Sequence, residues 1–160
     1  MIKYILCVLI LLLDRATKIW AVNSLDGKGF VDFIKGFINL VYVENTGVAF
    51  GMFSDKLYVM LPITILVIGI CVFVYAKNKG QNKVFDYAML LIITGAIGNV
   101  MDKLTRGFVV DFLNFEFMDF PVFNVADISV CIGAGLLMIY ILFCSDKKKE
   151  AEGKSDDTDM

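Results

Sequence analysis

The sequence predicts a mainly α integral membrane protein, with four transmembrane helices and a small extracytoplasmic β-sheet. Of its 160 residues 58% are hydrophobic and the mean hydropathy is +0.73, whereas soluble domains run roughly 45–50% apolar. Four segments reach or approach the length that crosses a bilayer, about 20 residues at about 1.5 Å rise each. Between the first two lies a stretch rich in Phe, Val, Ile and Tyr, broken by turn residues.

The first span, 2–22, is the least regular, because Asp14, Arg15 and Lys18 interrupt it. A cleaved signal peptide is the competing reading, but no A-x-A-like site follows the apolar run, so a retained span is expected. Too few apolar residues precede Cys7 for it to be a lipoprotein's acylated cysteine. Strands are expected at 30–34 and 37–43, split by Gly36 and bounded by Asp26-Gly27 and Asn45-Thr46-Gly47. The second span, 57–76, carries no charge; the third, 84–101, has Asp86 near its start, and the fourth, 125–144, has Asp127 near its start. Pro121 favours a helix beginning near Asn124. Residues 1–144 read as one membrane-embedded domain, and 145–160 as a charged, disordered cytoplasmic tail.

Lys77, Lys79 and Lys83 fill the connection between the second and third spans, and Lys147, Lys148 and Lys149 open the tail. Positive loops stay cytoplasmic, so both termini are placed inside, and 23–56 and 103–124 outside. Trp20, Tyr4 and Tyr58 suit interfacial belts.

The chain has no histidine, which excludes Ser-His and Cys-His nucleophiles and His-ligated zinc. A net charge of -2 supplies no basic field for nucleic acid. Cys7, Cys71, Cys131 and Cys144 form no CxxC pair and read as small buried hydrophobes.

Intramembrane acids are costly and are functional candidates by default. Asp14, Asp102, Asp111 and Asp127 all fall in the outer half of the bilayer or at its edge. Two share a pattern, Asn99-Val100-Met101-Asp102 and Asn124-Val125-Ala126-Asp127, which puts an amide and a carboxylate on one helical face. The pattern serves either to orient a carboxylate or merely to cap and join helices, and both readings stand. Asp102 has Lys103 beside it and Arg106 one turn on, and Asp14 has Lys18 at i+4, so both are expected to be ion-paired scaffold. Asp111 and Asp127 have no adjacent cation. If the two meet in low dielectric, one holds a proton while the other is ionised, which makes an acid and a base for one water. Capping of helix starts is the plainer alternative for both.

Four motifs, in order, resemble the lipoprotein signal peptidase family, signal peptidase II. They are Asp14-Arg15-Ala16-Thr17-Lys18; Asn45-Thr46-Gly47-Val48-Ala49-Phe50-Gly51; Gly95-Ala96-Ile97-Gly98-Asn99-Val100-Met101-Asp102-Lys103 running on to Gly107-Phe108-Val109-Val110-Asp111-Phe112; and Phe120-Pro121-Val122-Phe123-Asn124-Val125-Ala126-Asp127. The resemblance implies an aspartic endopeptidase of the bacterial inner membrane that cleaves prolipoproteins just before a diacylglyceryl-modified cysteine. It implies Asp111 and Asp127 as the catalytic pair, Asn45, Gly47, Asn99, Asp102, Lys103 and Asn124 as substrate-contacting or supporting residues, and Asp14 as a structural polar residue. The implied partners are lipid-modified prolipoproteins and membrane lipids. No metal or cofactor is expected, because an aspartate pair supplies both proton transfers; no nucleic acid is expected from the charge, and a monomer is expected because nothing in the chain demands a partner, which leaves the oligomeric state open. The family commonly has Arg at the position of Lys103 and Ala at that of Val48; Lys keeps the charge but loses the bidentate fork. The rival class is a small ion or proton carrier, which requires polar groups at several depths. The inner halves of the second, third and fourth spans have almost none.

Overall fold

The computed structural model describes residues 1–47 and 57–144. Helix α1 covers Ile2–Leu25, α2 Leu57–Asn78, α3 Lys83–Arg106 and α4 Val125–Phe143, with strands β1 Val31–Ile34, β2 Ile38–Asn45 and β3 Val109–Phe115. All four expected helices are present. Three of them, α2, α3 and α4, are long and apolar enough to cross a membrane among the described residues. The expected tail, the Val48 departure, most of the loop running to Gly51 and the Tyr58 side chain lie outside the described residues.

The side chains of α1 are distributed inside out. Its buried residues are Asp14, Lys18, Ala21 and Leu25, one face at helical spacing, while Leu6, Leu9, Leu12 and Leu13 are exposed. In water this arrangement would be strongly unfavourable; against lipid it costs nothing, because the acyl chains solvate leucine and the bundle solvates the charges. Helix α2 agrees, with 6% of its apolar window buried.

Helix α3 extends beyond the expected 84–101 at both ends because both are capped. Asn82 accepts N–H bonds from Val84 at 2.7 Å and Phe85 at 3.3 Å. Gly107 ends the helix with φ at 83°, a left-handed conformation open to glycine, and its N–H returns to the Lys103 carbonyl. Helices α3 and α4 approach closely over small residues. A Cβ on Gly95 would collide with the Ala126 carbonyl, and one on Gly133 would lie 2.8 Å from the Ala88 carbonyl.

Strands β1 and β2 match the expected pair to within two residues, and the turn between them contains Gly36 at φ 76°. Strand β3 was not expected. It runs antiparallel to β2, giving the order β1-β2-β3. Its first four residues are buried without alternation, because Val110 and Phe112 pack with Ala21, Leu25 and Leu40 into one apolar cluster. A short run buried on both faces lacks the period-2 pattern that marks a strand.

At the opposite end of the bundle, Lys3 pairs with Asp86 at 2.7 Å, and Tyr4 and Tyr75 share a hydroxyl hydrogen bond of 3.1 Å. The start of α1 and the α2–α3 connection therefore lie at one end, and the sheet with Asp111 at the other. Trp20 meets the Phe112 ring edge-on at 6.4 Å.

Candidate active site

Asp111 comes from β3, Asp127 from the first turn of α4, Asn99 from α3 and Asn45 from the end of β2. The sheet register places Asn45 opposite Val109, two residues from Asp111. Asn45 Nδ2 donates to Asp111 Oδ2 at 2.8 Å, and Asn45 Oδ1 accepts the Gly47 N–H at 3.0 Å. Gly47 thereby fixes which end of the Asn45 amide faces the carboxylate.

The two Asn-x-x-Asp segments work across one another. Within the second, Asn124 and Asp127 form a capping box: the Asp127 N–H donates to Asn124 Oδ1 at 3.0 Å, and the Asn124 N–H donates to Asp127 Oδ2 at 3.1 Å. The side-chain amides go elsewhere. Asn124 Nδ2 donates to Asp111 Oδ1 at 2.6 Å, and Asn99 Nδ2 donates to Asp127 Oδ1 at 2.7 Å. Of the two readings open for Asn99, orienting Asp102 within its own segment is not what the structure has: its amide joins α3 to α4 by serving the acid of the other segment. Asp127 and Asn124 do cap a helix, as the plainer reading holds, whereas Asp111 lies in a strand and caps none.

The buried acids and the half-buried Asp127 divide by their partners. Asp14 meets Lys18 at 2.9 Å, Asp102 meets Arg15 at 2.9 Å and Lys18 at 3.1 Å, and Asp86 meets Lys3. Asp102 is ion-paired as expected, but not with Lys103 or Arg106. The i+1 and i+4 positions of α3 lose to cations on α1, which reach the same depth from across the bundle. Asp111 and Asp127 form no ion pair among the described residues; their partners are neutral amides and a backbone N–H. Asp111 is 2% exposed. Burial pushes its carboxyl up to about 6; the Asn45 and Asn124 donors oppose this and the charge of Asp127 adds to it.

Both acids open onto the same space. An apolar cavity of about 490 Å³ is walled by Phe115, Phe120, Phe123 and Ile128 and reaches Asn45, Asp111 and Asp127. A smaller polar recess of about 140 Å³ joins the same two acids to Asn45, Gly47, Asn99 and Lys103. Cys131 is exposed and lines the apolar cavity, contrary to its reading as a buried hydrophobe. The phenylalanine wall was missed because Phe115, Phe120 and Phe123 come from separate turns of chain and meet only when folded, at ring separations of 5.0 to 5.9 Å. Lys18 was missed as a bridging residue, although its i+4 spacing from Asp14 was visible.

The family profile described as signal peptidase (SPase) II matches residues 6–143. The chain is similar to the lipoprotein signal peptidase of Clostridium tetani, 41% identical over 143 residues covering 88% of this chain and 92% of that one. It is also similar to that of Clostridium acetobutylicum, at 39% over 141 residues, 86% and 92% of the two chains. A bacterial membrane enzyme solved by the in meso method at 2.3 Å resolution superposes with a TM-score of 0.85, at 31% identity and 92% coverage of each chain. With a profile spanning almost the whole chain and relatives near 40% identity, the chain belongs to the signal peptidase II family and is a protease.

Proposed function

We propose that the protein removes the signal peptide from diacylglyceryl-modified prolipoproteins, as an aspartic endopeptidase whose catalytic pair is Asp111 and Asp127. The observation that carries this reading is the division of the buried acids. Every other buried carboxylate among the described residues has a cation within ion-pair distance, whereas Asp111 and the half-buried Asp127 line one cavity and accept hydrogen bonds from amides and a backbone N–H, with Lys103 in the same recess but not paired to either. An acid locked to lysine is a poor proton carrier; an acid steadied by amides keeps its proton exchange and its direction.

With one proton shared by the pair, the ionised carboxylate takes a proton from water while the other protonates the scissile carbonyl oxygen. The new C–O bond gives a gem-diol. Its collapse breaks the C–N bond, the leaving amine takes the proton first drawn from water, and a diol proton returns to the other carboxylate. The pair ends as it began. Cleavage falls just before the lipidated cysteine. The apolar cavity takes the lipid-anchored part of the substrate, so two membrane anchors place the scissile bond beforehand.

Helix α1 is the fourth crossing. It is 24 residues long, as α3 is, about 36 Å at about 1.5 Å per residue, and its Asp14 and Lys18 face inward. Lys3, Lys77, Lys79 and Lys83 cluster at the end away from Asp111 and Asp127, which supports a cytoplasmic position for that end and a site at the outer face of the bacterial inner membrane. The enzyme acts as a monomer among membrane lipids.

Asp111→Asn and Asp127→Asn, made separately in cells bearing a tagged prolipoprotein, should each leave an inserted protein and an accumulated lipidated precursor. Normal maturation with either variant would sink the assignment.

A further inference from the structure

We propose that Lys18 is a positioning residue for the cleavage reaction: by donating to Asn99 it sets the sense of that amide, so that an N–H and never a lone pair faces Asp127. The inference rests on the aspartate-pair reading above. Lys18 has 0% exposure in the middle of the bundle. An ammonium there has three N–H donors and no acceptor, and each finds its own partner: Asp14 Oδ2 at 2.9 Å, Asp102 Oδ2 at 3.1 Å and Asn99 Oδ1 at 2.9 Å. Two acids together with Arg15 already balance the charge of this cluster. The third donor is therefore not needed for neutrality, and it points at the amide that holds Asp127.

The consequence is chemical. A donor-only ammonium forces the Asn99 oxygen toward itself, which turns Nδ2 to Asp127 Oδ1 at 2.7 Å. Asn124 Nδ2 reinforces the same sense by donating to Asn99 Oδ1 at 3.2 Å. Without Lys18 the amide can invert and present oxygen to carboxylate oxygen. The charged groups around the acids are Asp14 and Arg15 on α1, Asp102 and Lys103 on α3, Asp127 on α4 and Asp111 on β3, so loss of Lys18 alone also leaves one surplus negative charge beside them. Asp14→Asn made together with Lys18→Met removes that surplus, and the new amide oxygen still accepts the Ala126 N–H that Asp14 Oδ1 takes at 2.9 Å.

The test is steady-state cleavage of a diacylglyceryl-cysteine prolipoprotein peptide by the full chain in lipid. The proteins compared are wild type, Lys18→Met/Asp14→Asn, Asn99→Ala and all three changes combined. Each of the first two variants should lower kcat by about 10- to 100-fold, the size of one charge-assisted hydrogen bond used in the transition state, with KM little changed. The combined variant should be no slower than the slower of the two, because both remove one linkage. Losses that multiply, or an unchanged kcat without Lys18, overturn the proposal. Lys18→Gln and Lys18→Met, compared in parallel, supply a second reading that does not depend on the paired variant folding. Gln retains an N–H for Asn99 and should keep about tenfold more kcat than Met; equal rates overturn the proposal. Asp111→Asn and Asp127→Asn run beside these: activity in either defeats the aspartate-pair reading itself, whereas their inactivity with multiplying Lys18 losses defeats only the role of Lys18.

Discussion

Asn124 donates its side-chain amide to Asp111 across 2.6 Å, and this bond ties strand β3 to the first turn of α4. The same side chain, 0% exposed, also caps that helix through its oxygen. The two duties separate by substitution. Asn124→Ala loses the cap, about 0.5–2 kcal/mol, and leaves a buried Asp111 oxygen without its donor, about 1–3 kcal/mol more. Asn124→Ser restores the cap but cannot reach Asp111, so thermal unfolding in detergent should recover most of the cap term while cleavage stays depressed. Parallel recovery of both would show that the amide serves α4 alone.

Asp102 and Arg15 share one ion pair but should respond unequally. Asp102 is 1% exposed and also accepts from Lys18 and, at 3.4 Å, from the Val110 N–H. Asp102→Ala leaves Lys18 with Asp14 alone as its acid and one surplus positive charge in the cluster, and should cost about 3–5 kcal/mol. The Arg15 side chain is 40% exposed, so Arg15→Gln should cost no more than about 1 kcal/mol. Unfolding midpoints of the two variants check this, and similar losses would mean that Lys18 does not depend on Asp102.

Gly95 sets the spacing of α3 and α4. A Cβ there would collide with the Ala126 carbonyl and lie 2.8 Å from Val130 Cγ2. Gly95→Ala should cost about 1–3 kcal/mol by overpacking and should reduce cleavage further, because the helices it separates carry Asn99 and Asp127. Gly135, where a Cβ would meet nothing within 4 Å, is the control. Gly135→Ala should leave cleavage intact, and a Gly95→Ala enzyme with wild-type kinetics would show that the helix spacing tolerates change.

The pH profile should report Asp111. Burial raises its carboxyl to about 6, so in the free enzyme the proton is held below that pH and lost above it. In the proposed aspartate-pair mechanism cleavage needs one proton in the pair, and kcat/KM should therefore fall as pH rises through about 6. The matching limb of kcat should lie higher, because bound substrate excludes the remaining water. Stability follows the same sign: the contribution of this raised group is complete below the ordinary aspartate value of about 3.9 and is lost as pH rises through the folded one. Asn45→Ala removes a donor that steadies the ionised form and should move the kcat/KM limb upward. A limb that stays put in that variant would assign the titration to another group.

The opening motifs, the four helices and the two outer strands could be read from the chain because each is written locally, in apolar run length, in turn residues and in the spacing of asparagine and aspartate. The division of the four acids was half legible: Asp111 and Asp127 lack neighbouring cations in sequence, and among the described residues they form no ion pair in space, although Lys103 lines the same recess. What the chain order could not show is who pairs with whom. Asp102 ignores Lys103 and Arg106 and takes Arg15 and Lys18; Asn99 passes over Asp102 and serves Asp127; β3 hides in a run with no alternation. Those choices arise between helices that are distant in sequence and level in depth. Inside a bilayer a charge must find its partner within the bundle, so the packing of α1 against α3 and α4 decided which acids are ion-paired and which are held only by amides and a backbone N–H.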